Sequence, residues 1–522
     1  MTSKEPLLSK GQAAVFLTAV CLSAIMTNLD FTAVNLAVLP MAEDFHVSVD
    51  DIQWILSAYL LAFSSMLLPA GGLSDRIGHR KTFTLGIGLF TGTSAIIAMA
   101  PSHYVVIVGR IIQGVGGSLI IPGIYGLIGE VLTKKQQAFA VSVIGAGLGI
   151  GMSLGPTFGG ILIEYFGWPM IFWVNLPIGI FTILSVLKTV PKSKAQHAGK
   201  HMDWKGIIAF VGGLSLILYA LGNAHTWGWG AFRLWGLIAT GIALIAICIY
   251  WERHIERPLI HLNLLKEKTY RTSCLSFIGF NASFIAIVFI VGLLLLSVWD
   301  YSPMQAGFIM LGMTALYGIF APVVGILLGH MRPLGLILLG FVLMIGSMAW
   351  IMFMPVNDSL ASWVTALVIT GTGMSLTWNS INAVMMGSLP QEEIGAGSSM
   401  FLMLGIFAGS LALVISTTIA TGTLLNELED YTQTHEIHLS QTQEDALIQA
   451  AQIGYFNEAQ KEALGKDVFK PLQAILVQHV HHGLNLALGM CIVLCLISAA
   501  FSLHGFRGVN VGEGSTPAGP AL

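Results

Sequence analysis

Two charged side chains lie deep within apolar segments that are long enough to cross a membrane. Asp30 falls in an apolar stretch from about Ala13 to Leu39, and Arg110 falls in the segment 103–127. A carboxylate near the middle of a bilayer costs roughly 2.5–3.5 kcal/mol on insertion scales, and such residues mark ion or proton pathways. The pattern predicts that Asp30 is the proton-coupling group of a transporter and that Arg110 acts on it.

Both residues also have a structural interpretation. Asp30 could accept hydrogen bonds from Asn28 or Asn35 on its own segment, and Arg110 could donate to backbone carbonyls. In the proton-site interpretation, burial disfavours the charged carboxylate while a nearby guanidinium favours it. The opposition of these two effects would let Asp30 take up and release a proton.

The composition indicates which elements hold these charges. Of 522 residues, 55% are hydrophobic and 10% are charged, whereas soluble proteins carry about 25% charged residues. A membrane-spanning helix needs about 20 predominantly apolar residues, so the sequence predicts an all-α polytopic membrane protein. Fourteen segments qualify as transmembrane helices: 13–37, 52–71, 82–100, 104–128, 138–162, 170–187, 206–222, 233–251, 272–297, 304–328, 334–355, 361–386, 395–422 and 483–503.

The basic residues are unevenly distributed among the loops. With the N-terminus inside, most of the 24 Lys and Arg residues fall in loops on that same side, such as 76–81 and 188–205. Because basic loops stay in the cytoplasm, both termini are predicted to be cytoplasmic. The start of the chain lacks the pattern of a cleaved secretory signal. We therefore expect a multi-pass protein of a bacterial inner membrane, in contact with lipid.

A long hydrophilic stretch, 424–480, is predicted to lie on the opposite, extracytoplasmic side. Residues 444–466 within it are amphipathic at helical spacing. The stretch is interpreted as a solvated helical hairpin, and the alternative is a docking surface for a periplasmic adaptor protein and, through it, an outer-membrane channel. Three histidines near its end, His479, His481 and His482, are expected to be solvated, and no metal site is predicted.

The fifth predicted span carries small residues in a regular pattern. Gly147, Gly151, Gly155 and Gly159 recur in steps of four, which places them along one helix face where two backbones can approach closely. Pro156 and Gly160 each come directly after one of these glycines in the sequence, and a proline bends a helix. The segment is predicted to lie at a helix interface, either as a hinge or as plain close packing.

Six segments of the sequence have the character of motifs: Leu29–Ala37, the predicted loop Gly71–Lys81, Arg110–Gly116, Gly151–Gly160, Phe172–Gly179 and Asp203–Gly206. Together they resemble the major facilitator superfamily, and within it the fourteen-helix drug:proton antiporters of the EmrB/QacA type. Leu29–Ala37 resembles the first-helix motif of that branch, and Gly151–Gly160 resembles the fifth-helix motif of antiporters.

The resemblance implies a major facilitator fold, with two six-helix bundles, two inserted helices and alternating access to a site between the bundles. The implied organisation is an N-terminal bundle at 1–187, linkers and inserted helices at 188–271, a C-terminal bundle at 272–503 that includes the loop 424–480, and a tail at 504–522.

The resemblance also assigns roles to residues of this sequence. Asp30 would be the protonatable group, tuned by Arg110. The inner gate would consist of Gly71, Asp75, Arg76, Gly78 and Arg80. The antiporter helix would use Gly147, Gly151, Gly155, Pro156, Gly159 and Gly160. An apolar cavity with a few polar points is expected to bind substrate, and the candidates from the sequence are Asn35, Trp54, Tyr59, Gln113, Tyr317, Trp378, Asn379 and Asn382.

The expected function is proton-coupled export of drugs or other amphipathic small molecules, powered by the proton gradient and without a cofactor. The alternative is a dedicated metabolite exporter, for example of a siderophore, with the same mechanism. The C-terminal spans add no clear second carboxylate. A single carboxylate favours a low number of protons per transport cycle and a neutral or amphipathic cargo. No nucleic-acid partner is expected, and neither an enzyme nor a non-transporting receptor explains the pattern as well.

Overall fold

The structure of the protein is a computed structural model. The structure describes residues 8–47, 49–132, 134–191, 204–228, 230–252, 262–299, 301–354, 359–389, 394–434, 440, 443 and 458–508. Within these ranges, some helical residues are described for their backbone alone.

The described part of the chain is helical throughout. Its sixteen α-helices are α1 Lys10–Phe45, α2 Val49–Ile77, α3 His79–Ala98, α4 His103–Val131, α5 Lys134–Phe166, α6 Met170–Trp173, α7 Asn175–Thr189, α8 Trp204–Gly222, α9 Ala224–Trp227, α10 Phe232–Glu252, α11 Lys268–Leu293, α12 Pro303–Leu328, α13 Pro333–Phe353, α14 Leu360–Gly387, α15 Ile394–Thr434 and α16 Glu458–Gly505. A 3₁₀ turn, Leu262–Lys266, precedes α11, and a π-helical turn, Leu294–Val298, follows it.

The all-helical, polytopic prediction is confirmed. Among the described residues, thirteen helical stretches are long and apolar enough to cross a membrane, and they correspond to thirteen of the fourteen predicted spans. The remaining predicted span, 138–162, lies within α5, which has 33 residues. At 1.5 Å per residue, this helix is about 50 Å long and exceeds the apolar core of a bilayer.

Local sequence explains where several of these helices begin. Ser9 and Ser302 each accept a hydrogen bond from the backbone of a glutamine three residues later, and each glutamine bonds back to the serine backbone. These reciprocal bonds satisfy N–H groups that the first helical turn would leave unpaired. Glu267 caps α11 in the same sense, accepting from the backbone N–H groups of Thr269 and Tyr270.

Helix contacts divide the molecule into two halves joined along two seams. In the first half, α1 packs on α5 and α7, and α4 packs on α2 and α3. In the second, α11 packs on α15 and α16, and α14 packs on α12 and α13. The seams are formed by α5 against α12 and by α2 against α15. The hairpin of α8 and α10 lies beside the second seam, where α8 contacts α2 and α15.

The prediction that a loop fills the sequence between the spans 52–71 and 82–100 is wrong in its extent. Helix α2 continues through Gly71, Asp75 and Arg76 to Ile77, and α3 begins at His79. Only Gly78 separates them, with φ of 92°. Glycine adopts this region without the steric cost that a side chain would add, so a single residue is sufficient to reverse the chain.

The hydrophilic stretch 424–480 begins and ends as helix. Helix α15 runs on to Thr434, and α16 starts at Glu458, so both spans extend beyond their predicted ends at 422 and 483. At 41 and 48 residues, both helices are much longer than the roughly 20 residues that a span requires. The backbone therefore agrees with a helical hairpin at these ends, whereas residues 444–457 lie outside the described part.

Helix α5 is held between the two halves by glycines on two faces. A Cβ added at Gly151 would lie 2.6 Å from the backbone oxygen of Ile25 on α1, and one added at Gly160 would lie 2.2 Å from the backbone oxygen of Pro303 on α12. In the other direction, a Cβ on Gly307 of α12 would lie 2.4 Å from the Pro156 oxygen. The predicted interface helix thus contacts a neighbour in its own half and one in the opposite half.

This packing predicts a selective effect of one methyl group. Gly151→Ala should lower stability by about 1–3 kcal/mol, because the backbone of α1 must move to admit the new carbon. The thermal unfolding temperature of the purified protein in detergent measures this. The matched control is Gly88→Ala in α3, where an added Cβ would meet no heavy atom within 4 Å and alanine improves helix propensity. Equal unfolding temperatures for the two variants would contradict the packing described.

Candidate functional site

Asp30 and Arg110 form an ion pair inside the first half of the molecule. Nη1 of Arg110 donates to Oδ2 of Asp30, and both side chains are completely buried. Burying either charge alone is very costly, whereas a hydrogen-bonded pair is tolerated. The structure therefore brings together, across α1 and α4, the two charges that the sequence placed in separate spans.

Two amide side chains and one hydroxyl complete the surroundings of the carboxylate. Gln113 accepts from Arg110 Nη1 at 2.8 Å and donates to Asp30 Oδ1 at 3.2 Å. Asn175 donates to the same Asp30 oxygen at 3.1 Å. Ser94 accepts from Gln113 at 2.9 Å and from Asn175 at 3.2 Å. We call Asp30, Arg110, Gln113, Asn175 and Ser94 the buried polar cluster.

Four elements of the first half position this cluster. Asp30 comes from α1, Ser94 from α3, Arg110 and Gln113 from α4, and Asn175 from the first residue of α7. The predicted span 170–187 is divided into α6 and α7 by a break at residue 174, and residues 175 and 177 follow directly in α7. Because proline has no backbone N–H to donate to the preceding turn, Pro177 explains an interruption at this point.

Ser94 and Asn175 were missed as site residues in the sequence. For Asn175, a signal existed: an amide two residues before a proline, within an apolar span and inside the segment Phe172–Gly179 that carried the resemblance. Ser94 had no such signal, because isolated serines are common in the spans and often bond to their own helix, as Ser23 does to the Val20 carbonyl.

Aromatic rings and one backbone group hold the guanidinium of Arg110. Its Cζ lies 4.1 Å from the centroid of the Tyr59 ring and 5.9 Å from that of Phe172. Nε donates to the Ile55 carbonyl oxygen at 3.2 Å, so the backbone interpretation of Arg110 holds alongside the ion pair. Nη2 of Arg110 and Oδ1 of Asn175 are buried without a partner, which leaves one donor and one acceptor open beside the carboxylate.

The alternative partners of Asp30 lie elsewhere. Asn28 donates to the Ala24 carbonyl at 3.1 Å, and Asn35 donates to the Phe31 carbonyl at 3.1 Å. Both amides therefore satisfy the backbone of α1 itself. The structural interpretation of Asp30 as an acceptor from polar neighbours is therefore not met by Asn28 or Asn35, but Gln113 and Asn175 supply hydrogen bonds of the kind that it requires.

A narrow cavity lies between the two halves, on the other side of α1 from the ion pair. It has room for about one water molecule, so a larger ligand requires the halves to separate. Its wall consists of Thr32, Met152, Phe284, Val288, Met313, Thr314, Tyr317 and Met374.

The predicted cavity residues are dispersed, and among them only Tyr317 lines this cavity. Gln113 belongs to the buried polar cluster, and Tyr59 stacks on Arg110. Trp54 packs 5.9 Å from the Tyr219 ring of α8, beneath the inserted hairpin. Trp378 packs 4.9 Å from Phe277.

The asparagines of the prediction do not line the cavity either. Asn379 donates to the backbone and side-chain oxygens of Ser375. Asn35 bonds to its own helix, and Asn382 is half-buried on α14. The sequence therefore did not predict which face of its helix each of these polar residues occupies.

The turn between α2 and α3, where the predicted gate residues lie, also contains a small group of hydrogen-bonded side chains. His79 bonds through Nδ1 to Ser74 Oγ at 2.7 Å, and its Nε2 lies 3.7 Å from Glu130 Oε1 on α4. Arg80 donates to the Leu187 carbonyl oxygen at 2.7 Å. The side chain of Asp75 lies outside the described part of the chain, so its predicted role stays a prediction.

Comparisons with known proteins agree with this architecture. The family model described as the Major Facilitator Superfamily matches residues 20–413. The tetracenomycin C resistance and export protein of Streptomyces glaucescens is 28% identical, over 78% of this chain and 76% of that protein. Riboflavin transporter RibZ of Clostridioides difficile is 29% identical, over 74% and 84%.

Two further comparisons extend this picture. The multidrug resistance protein Stp of Mycobacterium tuberculosis is 26% identical, over 80% of this chain and 77% of that protein. Among solved structures, an inward-facing, unoccupied bacterial homologue of the human lysosomal transporter Spinster matches with a TM-score of 0.66. It is 15% identical and covers 96% of this chain and 98% of its own, which shows a shared fold.

The ion pair predicts a non-additive pair of substitutions. Arg110→Leu should cost about 3–5 kcal/mol of stability, because Asp30 is left buried without its counter-charge. The double variant Asp30→Asn with Arg110→Leu should lose less than the sum of the single losses. Thermal unfolding in detergent measures all three. Arg233→Leu is the control, since Arg233 stacks on Trp227 at 4.2 Å but is exposed; strict additivity would show that the pair is not coupled.

Proposed function

Because the chain belongs to the Major Facilitator Superfamily, we propose that it is a proton-coupled exporter of drugs or other amphipathic small molecules. It is a membrane transporter with export and drug-resistance proteins among its relatives. In the proposal, the proton gradient across a bacterial inner membrane supplies the energy, and both termini lie in the cytoplasm. The helical ends of 424–480 would then be periplasmic, in reach of an adaptor protein.

The observation that carries the proposal is the fully buried carboxylate of Asp30, opposed by one guanidinium. While Asp30 is charged, the ion pair ties α1 to α4. A proton on Asp30 removes its attraction for Arg110, whose remaining hydrogen-bond partners are Gln113 and the Ile55 carbonyl. Arg110 and Gln113 are on α4 and Ile55 is on α2. Protonation of Asp30 therefore weakens the attraction between α1 and α4 and leaves these other bonds in place.

Helix packing gives this change a route to the interface between the halves. Helix α1 contacts α5 along the glycine face, and α5 in turn contacts α12. Thr157 of α5 also donates to the Gly307 carbonyl of α12 at 2.9 Å. A shift of α1 would therefore act on α5 and, through it, on the contact of α5 with α12, which is the seam that must open and close in alternating access.

A dedicated metabolite exporter is the second candidate. Two relatives are named for a single compound, tetracenomycin C or riboflavin, whereas a third is named for multidrug resistance. A panel of drugs, pigments, flavins and siderophores tested in a pump-deficient bacterium separates the two functions. Resistance to several unrelated compounds favours the drug exporter, and efflux of one compound class favours the dedicated one.

Removing the titratable group tests proton coupling directly. Asp30→Asn should reduce gradient-driven transport in proteoliposomes to the level of empty vesicles, because the amide cannot carry a proton but can still accept from Arg110. Transport and intravesicular pH are recorded together. Asp51→Asn is the control, since this carboxylate is exposed at the start of α2. Full gradient-driven transport by the Asp30 variant, with normal proton movement, would refute the proposal.

A further inference from the structure

The cavity between the two halves and the ion pair face opposite sides of helix α1. Asp30 contacts Arg110 and Gln113 on α4 and Asn175 on α7. Thr32 lies two positions along, about 200° around the helix. Its hydroxyl is directed to α5, 3.5 Å from the Gly151 carbonyl oxygen, and it lines the cavity. A molecule in the cavity is therefore separated from the carboxylate by the backbone of α1.

The lining of the cavity is apolar and uncharged. It has no Asp, Glu, Lys, Arg or His among its residues in the described part of the chain. Met152, Met313 and Met374 reach it from α5, α12 and α14. An ion placed here would lose its hydration without gaining a counter-charge. The cavity thus discriminates against charged ligands.

The same lining favours flat aromatic rings. Phe284 and Tyr317 pack with centroids 5.6 Å apart at 34°, and aromatic groups add favourable ring contacts in such surroundings. Thioethers make further favourable contacts with rings and adapt to different outlines because the side chain is flexible. Three methionines on three helices therefore suit a ring system whose exact shape varies.

Three hydroxyls give the cavity its polar points. Thr32 and Thr314 donate to carbonyl oxygens of their own helices at 2.9 Å and 3.2 Å. The oxygen of Thr32 keeps lone pairs that can accept from a ligand. Tyr317 lines the cavity as well, and in the described part of the chain its hydroxyl has no protein partner. It can donate to a carbonyl or accept from a hydroxyl on the ligand.

We propose that this cavity, when it widens as the two halves separate, takes uncharged, planar aromatic molecules with hydroxyl or carbonyl groups at the rim, and that they couple to Asp30 through helix α1 without touching it. This inference rests on the proposed function, because it takes the cavity as the cargo site of the exporter. The ligand contacts Thr32 on one side of α1, and the proton binds Asp30 on the other side. A displacement of α1 caused by either one therefore affects the other.

Binding of a matched pair of fluorescent probes tests the ligand class. Acridone is an uncharged tricycle with a carbonyl and an N–H, and N-methylacridinium is a cation of nearly the same outline. Titration of the full-length protein in nanodiscs should give an affinity for acridone at least about tenfold higher than for the cation, the expected penalty of an unpaired buried charge. Equal or tighter binding of the cation, or no saturable binding of acridone, overturns the inference.

Variants test the place of binding and the indirect coupling. Met374→Ala should weaken acridone binding about tenfold, whereas Met386→Ala on the same helix, which is exposed, should leave it unchanged. Asp30→Asn should bind acridone within about twofold of wild type while its transport is lost. If Asp30→Asn loses binding as well, or if Met374→Ala binds like Met386→Ala, the inference fails.

The inference and the proposed function fail in different ways. Proton-driven export of cationic dyes that depends on Asp30 would keep the proposed function and refute the uncharged ligand class. Selective acridone binding without any gradient-driven transport by the wild-type protein would refute the proposed function and leave the binding site in place.

Discussion

The structure depends on one constraint: two opposite charges must share an interior from which water is excluded. A carboxylate or a guanidinium alone in such a place is strongly unfavourable, and the pair is better tolerated when most of its remaining hydrogen-bonding groups are satisfied. Gln113, Asn175 and Ser94 perform that role around Asp30 and Arg110. Because these residues come from α1, α3, α4 and α7, the pair determines how four helices of the first half are set against each other.

In the proposed function, protonation of Asp30 would have a mechanical effect and not only an electrostatic one. Neutral Asp30 no longer balances Arg110, so the attraction between α1 and α4 changes while the contacts of α4 with α2 and α3 remain. Helix α1 lies against α5 with the glycines 147, 151, 155 and 159 directed toward it, which leaves little room for independent movement. Helix α5 also meets α12. The chain of contacts from the carboxylate to the seam between the halves is thus short and closely packed.

Asp30, the proposed proton site, is separated from the cavity, which distinguishes this arrangement from one in which ligand and proton compete for a single group. The cavity wall is formed by methionines, aromatic rings and hydroxyls, and its direct neighbour on α1 is Thr32, not Asp30. Competition at one carboxylate would favour cationic ligands. Transmission through a helix imposes no charge on the ligand, and the apolar wall then selects for uncharged ones.

Much of the fold could be predicted from the sequence, because insertion of a helix into a membrane depends on apolar residues summed over one continuous segment. The same local reasoning identified Asp30 and Arg110 by their cost and the close-packed face of α5 by its glycine spacing. It failed where the answer depends on rotation about a helix axis. Trp54 and Trp378 were expected at the cavity but pack against Tyr219 and Phe277. Ser94 joined the buried polar cluster without a sequence signal. Which face of each helix meets which neighbour is determined by packing between segments far apart in the chain, and only the tertiary structure decided it.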